Sequence, residues 1–300
     1  MRAMALALLS LLAGAAASAD SILSEARYPE GALWHRGRLY YAEMGRGVVN
    51  ISDLKTTRVF WRMDDCGPTS IAPYRADEFL VLCHLAHKVV RVSRAGESLA
   101  EIARDGSGKR FVYPNASCAD GQGGVYFSSS GTFSLAAPAT GAVLYLDPVG
   151  RLSRVAESIR YANGVAVDTV RKRLLVSAHL ARKVLAFPLL SPGKLGERSV
   201  FFDLDAGGAQ DDRYALAGPD GLEIDADGNV VVAEYGAGQI HKIAADGAWL
   251  GTQEGFAPFI TDMALLPGDR AAVTAAKINT APSFPGLVVL RDRFMQRFTK

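Results

Sequence analysis

The sequence predicts an all-β chain, a six-bladed β-propeller of four-stranded antiparallel blades. Three observations carry that prediction. One short phrase of residues recurs six times, the copies are spaced by one blade length, and convincing helical periodicity is missing after residue 19. A missed repeat would mislead every later assignment, so the repeat comes first.

Each copy places a small or polar residue before an apolar-rich strand, then a charged turn and a second strand. Gly218-Pro219-Asp220-Gly221-Leu222-Glu223-Ile224 runs through Asp227-Gly228 to Val230-Val231-Val232. Tyr113-Pro114-Asn115 leads to Gly124-Val125-Tyr126-Phe127, and Tyr161-Ala162-Asn163-Gly164 leads to Arg173-Leu174-Leu175-Val176. Tyr28-Pro29-Glu30-Gly31 precedes Gly37-Arg38-Leu39-Tyr40-Tyr41. Weaker copies begin at Gly67-Pro68-Thr69 and at Thr261-Asp262-Met263. The expected equivalent positions are Glu30, Thr69, Asn115, Asn163, Asp220 and Asp262, which lie 39, 46, 48, 57 and 42 residues apart. A four-stranded blade takes roughly 40–50 residues. Asp-Gly and Gly-rich pairs between β-branched runs are hairpin signals. Further strands are expected at 88–92, 143–146, 183–187, 239–243 and 287–290. A β-sandwich is the structural rival, but it leaves six similar units unexplained.

Domain organisation follows from the N-terminus. Arg2, an apolar run from Met4 to Ala17 and the small residues Ala17-Ser18-Ala19 form the pattern of a secretory signal. Residues 1–19 are therefore expected to be a signal peptide and residues 20–300 a single propeller domain, periplasmic or secreted. The apolar run is short of the roughly 20 residues of a membrane span, and no second run of its kind follows, so no membrane association is expected once the signal is removed. A net charge of +2 with scattered Lys and Arg offers no basic stripe, which argues against nucleic acid as a partner.

In a propeller the innermost strand of each blade lines the axial channel, so equivalent residues form a ring at one end. That ring reads Glu, Thr, Asn, Asn, Asp, Asp. All six side chains offer oxygen, which suits a hard divalent cation such as Ca²⁺, and no His or Cys joins them as a dedicated zinc site needs. Grouped carboxylates repel unless a cation or proton lies between them. The plainer alternative is that Asn-Gly and Asp-Gly mark turns. Residues leaving the second strands return to the same mouth, and His84, Ser129, His179 and Glu234 occupy comparable places. No Gly-x-Ser-x-Gly elbow is present, so serine hydrolase chemistry has little support. Residues 205–217, rich in Gly and Asp, lengthen the fifth unit and could overhang the funnel. Hairpin geometry would bring Cys66 and Cys83 together at the mouth end of the second blade, leaving Cys118 free; three unlinked thiols are the alternative.

Glu30-Gly31 with Trp34, Pro114-Asn115, Asn163-Gly164 and Pro219-Asp220-Gly221 occur in order at blade spacing. On these motifs the chain, from about Tyr28 to Leu290, resembles the SMP-30/gluconolactonase/LRE-like family of six-bladed propellers. The resemblance implies one divalent metal, Ca²⁺ or alternatively Zn²⁺ or Mn²⁺, bound by Glu30, Asn163 and Asp220, with Asn115 holding metal or substrate. It implies hydrolysis of a small-molecule lactone or related ester, with Asp220 as the catalytic base. Family members that act on sugar lactones often carry Arg two residues before the third-blade Asn, where Tyr113 stands here as the expected substrate-binding residue. The competing expectation is a non-catalytic propeller that binds a ligand or protein around a structural metal.

Overall fold

The computed structural model describes residues 20–206, 214–281 and 283–300. The expected signal, residues 1–19, lies outside the described residues. Every blade begins with an inner strand: Pro29–His35, Pro68–Tyr74, Pro114–Ala119, Ala162–Asp168, Gly218–Ile224 and Phe259–Leu266. Three further antiparallel strands follow outward in each case. Blades one to four are separate sheets, the fourth carrying an extra two-residue strand, Lys194–Leu195. Blades five and six are joined into one eight-stranded sheet by the single pairing of Tyr235 with Phe259. Proline at the first position of three inner strands costs no ladder bond, because a strand's opening residue tolerates a missing N–H.

The ring is closed from the N-terminus. Ser21–Arg27 pairs with Pro285–Asp292 and supplies the outermost strand of blade six. Six clusters of buried apolar side chains then lie between neighbouring blades. Tyr40, Val49 and Phe60 of blade one meet Ile71, Phe79 and Val90 of blade two. At the closing joint, Ala26, Leu266 and Val288 meet Leu39 and Tyr41. Each fully buried Leu, Val or Phe contributes roughly 1.5–3 kcal/mol relative to exposure, so stability resides in the joints between sheets. The axial channel is left over between the inner strands, and its polar lining is not what holds the ring together.

The strands expected outside the first hairpins are the third strands of their blades. Fourth strands such as Thr57–Arg62, Ser98–Ile102 and Ser199–Asp203 lie outside them and are largely exposed.

Cys66 and Cys83 form a disulfide, with Cα atoms 4.6 Å apart, and Cys118 is free. The bridge ties the residue before blade two's inner strand to the end of its second strand, at the funnel mouth. Closing a 17-residue separation should contribute about 2–4 kcal/mol. The Cys66→Ala/Cys83→Ala double variant is expected to keep its β circular-dichroism spectrum and melt roughly 5–15 °C lower. An unchanged melting temperature would show that the bridge adds nothing to the packed joint.

Candidate active site

The inner strands are not regular at their mouth ends. In blades two to six the ladder skips one or two residues immediately after the first pairs: Pro68 then Ser70, Pro114 then Ser117, Ala162 then Val165, Pro219 then Leu222, Ile260 then Asp262. Blade one breaks after Glu30. A bulge of this kind re-aims a side chain out of the sheet. The residues so freed are Thr69, Asn115, Asn163, Asp220 and Thr261, with Glu30 at the edge of its break.

This register corrects the expected sixth ring position. Thr261, not Asp262, is equivalent to Thr69. Thr261 Oγ1 donates to the carbonyl of Pro29 at 2.8 Å, as Thr69 Oγ1 does to those of Asn115 at 2.8 Å and Pro114 at 3.3 Å. Asp262 lies one step further along, beside Gly221, and lines a cavity of about 300 Å³ at the opposite end of the channel.

Glycine after the ring residue has a structural cause. A Cβ on Gly164 would stand 2.1 Å from the carbonyl oxygen of Asp220, and one on Gly221 would stand 2.7 Å from Cα of Asp262. These glycines lie inside strands and allow neighbouring inner strands to touch around the axis. The turn reading of Asn163-Gly164 and Asp220-Gly221 is thereby replaced.

At the mouth, Glu30, Thr69, Asn115, Asn163 and Asp220 line one cavity of about 210 Å³ together with Tyr28, Met44, His84, Phe133, Tyr161, His179 and Tyr235. The larger cavity at the far end is walled mostly by small and aliphatic residues, with fewer convergent polar groups. Chemistry therefore concentrates at the mouth. The four predicted ligands are all buried, at 8% exposure for Glu30, 7% for Asn115, 3% for Asn163 and 6% for Asp220. Among the described residues no Lys or Arg lines this cavity. Burial, with the neighbouring charges of Asp220 and Asp262, pushes the Glu30 carboxyl well above the usual range. Asp220 is raised by burial and then by Asp262, while the Asn163 side chain pulls the other way. Asp262 is itself pushed up to about 7 by burial, against hydrogen bonds from the N–H groups of Met263 and Ala32.

Asn163 Oδ1 is buried with no hydrogen-bond partner among the described residues. Its Nδ2 lies 3.5 Å from His179 Nδ1. Among the described residues no three His, Cys, Asp or Glu side chains group as a metal site, because two of the four donors here are amides.

Tyr113 does not line the cavity. Its ring packs beside it, 4.9 Å from His84 and 4.5 Å from His87. The aromatic wall is instead formed by Phe133, Tyr161, Tyr235 and Tyr28. Phe133 and Tyr161 stand 4.7 Å apart, and the hydroxyls of Tyr28 and Tyr235 share a 2.8 Å hydrogen bond. Tyr28 and Tyr161 hold left-handed backbone, with φ of 50° and 57°, an uncommon conformation that tends to occur at functional sites.

His84 and His179 do line the mouth, but the other two second-strand exits are one residue later than expected. Ser129 turns away to hydrogen-bond the backbone of Val112, and Glu234 turns away to His241 at 2.7 Å and Arg182 at 2.8 Å. Ser130 and Tyr235 are the equivalent exits: Tyr235 lines the mouth, and Ser130 Oγ donates to the carbonyl of Ala162 at 2.7 Å. Of the expected overhang, residues 207–213 lie outside the described residues; Tyr214 beyond them packs on Phe259 at 5.5 Å.

Residues 28–276 match the SMP-30/Gluconolactonase/LRE-like region. The chain belongs to that family. The lactonase drp35 of Staphylococcus saprophyticus is 27% identical over 234 residues, covering 74% of this chain and 68% of its own. A solved gluconolactonase from Xanthomonas campestris superposes with a TM-score of 0.72 at 20% identity, over 91% of this chain and 89% of that one. The calcium-binding protein regucalcin from Agrobacterium tumefaciens gives 0.72 at 17% identity, over 92% and 96%. These structures share the propeller fold of this SMP-30/gluconolactonase family chain.

Gly164→Ala tests the axial packing. The added methyl meets backbone, which cannot swing aside, so unfolding stability should fall by about 1–3 kcal/mol, the scale of overpacking. Denaturant melts check this; wild-type stability would mean that blades four and five do not touch at this point.

Proposed function

We propose that this chain is a metal-dependent hydrolase that opens a small-molecule lactone or related ester at the funnel mouth. The observation that carries the reading is the pairing of two buried carboxylates with a buried amide oxygen, Asn163 Oδ1, that has no partner among the described residues, in a cavity that no described Lys or Arg lines. Such a cluster is unstable by itself, since each buried carboxylate charge lacks a counter-charge. All its donors are oxygen, which fits Ca²⁺ better than a soft metal, with Mn²⁺ or Zn²⁺ as alternatives.

Glu30, Asn163 and Asp220 would hold the ion, with Asn115 turned to the ion or the substrate. When bound, a divalent cation supplies Lewis-acid polarisation of a carbonyl. The chain's own residues do the rest. Thr69 uses its hydroxyl to pin the inner strand of blade three, and so positions Asn115. Phe133, Tyr161, Tyr235 and Tyr28 give the substrate an apolar, partly dry wall. Family membership and the lactonase and gluconolactonase relatives support the same reading. The Cys66–Cys83 bridge supports an exported location, periplasm or exterior, where disulfides persist.

Alanine at Glu30, Asn163 or Asp220 should weaken Ca²⁺ binding by about 10²-fold or more, since altering even the outer partners of ligands commonly costs 10–100-fold. Titration calorimetry measures this, and an unchanged affinity in Asp220→Ala would remove the site. A panel of aldonic, alkyl and aryl lactones and esters, assayed with Ca²⁺, Mn²⁺, Zn²⁺ or EDTA, should show metal-dependent ring opening. Metal binding without turnover of any member would leave a ligand-binding propeller in place of the enzyme.

A further inference from the structure

Two histidines line the mouth cavity, and their ring nitrogens are placed differently. His179 has both nitrogens against main-chain carbonyls, Nε2 2.9 Å from Leu216 and Nδ1 3.1 Å from Pro219. Neither is open to the cavity. His84 has only Nδ1 so placed, 3.2 Å from the carbonyl of Pro114. A carbonyl oxygen only accepts, so Nδ1 carries the proton. Burial holds the His84 ring down to about 4, so it is neutral near pH 7 and Nε2 keeps its lone pair. No hydrogen-bond partner occupies Nε2 among the described residues, while the ring forms part of the cavity wall.

The ring is also held still. The His84 backbone N–H donates to Gly67 at 3.0 Å, and the preceding residue is bridged to Cys66. Tyr113 covers one face of the imidazole, tilted by 32°. Tyr113 is fixed in turn, because its backbone N–H donates to His87 Nδ1 at 3.1 Å.

We infer that His84 Nε2 is the proton acceptor for the water that opens the lactone, the role that family resemblance assigns to Asp220. The inference rests on the hydrolytic reading of this site. An Asp220 carboxylate committed to a cation has its lone pairs engaged there, whereas the His84 Nε2 lone pair has no competing partner among the described residues. Nε2 takes one proton from water as the water oxygen bonds to the lactone carbonyl carbon. The ring C–O bond then breaks, its electron pair passes to the ring oxygen, and that oxygen takes the proton from Nε2–H. Lactone and water become a hydroxy acid, and His84 returns neutral. Tyr113 is a positioning residue for this step and does not itself contact the substrate.

The test uses the full mature chain. His84→Gln should lower kcat by about 10²–10³-fold, the range of a lost general base. KM and calorimetric Ca²⁺ affinity should stay within about threefold, and added imidazole should restore part of kcat. His84→Asn serves where the Gln variant folds poorly. Histidine ¹⁵N NMR of the wild-type protein gives a readout independent of turnover, and His84 should show the Nδ1–H tautomer. Finding Nε2–H, or near-wild-type kcat in His84→Gln, overturns the assignment. A wild type that shows Nδ1–H yet opens no lactone overturns the hydrolytic reading itself, and with it this proton transfer.

Discussion

The close approach of inner strands around the axis is the constraint on which the rest of this structure depends. Gly31 stands where a Cβ would meet the Thr69 carbonyl at 2.3 Å, and Gly164 repeats that contact against Asp220. Because the backbones touch, the residue just before each glycine is carried to the rim of a narrow opening. Glu30, Asn163 and Asp220 therefore converge without a loop to carry them. Their precision comes from strands held by blade-to-blade apolar joints, on the rigid elements that suit a ligand site.

That convergence is electrostatically costly, and among the described residues no Lys or Arg lines the cavity to relieve it. Several Arg residues pair elsewhere: Arg91 with Glu78, Arg154 with Asp105, Arg173 with Asp168, all along blade faces. Burial raises the proton affinity of Glu30, Asp220 and Asp262, Asp262 adds to that of the other two, and Asp220 adds to that of Glu30. A protein can keep such a cluster by protonating it or by binding a cation. The Asn163 oxygen, buried with no hydrogen-bond partner among the described residues, adds a further lone pair to the same space.

Much of this was legible in the sequence, for a physical reason. An inner strand must present a polar residue to the channel and a small residue to its neighbour, so Glu30-Gly31, Asn163-Gly164 and Asp220-Gly221 stand out as pairs. The sixth copy lacks that glycine: Thr261 and Asp262 are both polar, and only the pairing of Ile260 with Ala275 and Asp262 with Thr274 shows which faces the mouth. Ser129 and Glu234 failed in the same way, because a one-residue slip in a strand reverses its face. The closing strand was hidden by distance, as Ser21 pairs with Leu290. Outermost strands such as Ser98–Ile102 escaped because exposed residues on both faces leave no alternation to read.

Tyr113 shows how a substitution can change the role of a position and still leave it near the site. Where an Arg could reach a substrate hydroxyl, the phenol ring packs between His84 and His87 and lies outside the cavity. The contact holds the His84 imidazole in place. His84 and His179 occupy equivalent exits from their second strands, and sequence alone treats them alike. The carbonyl of Leu216, on the chain just before the inner strand of blade five, closes the second nitrogen of His179. Among the described residues no such contact reaches Nε2 of His84, so the two histidines differ in what their neighbours leave open.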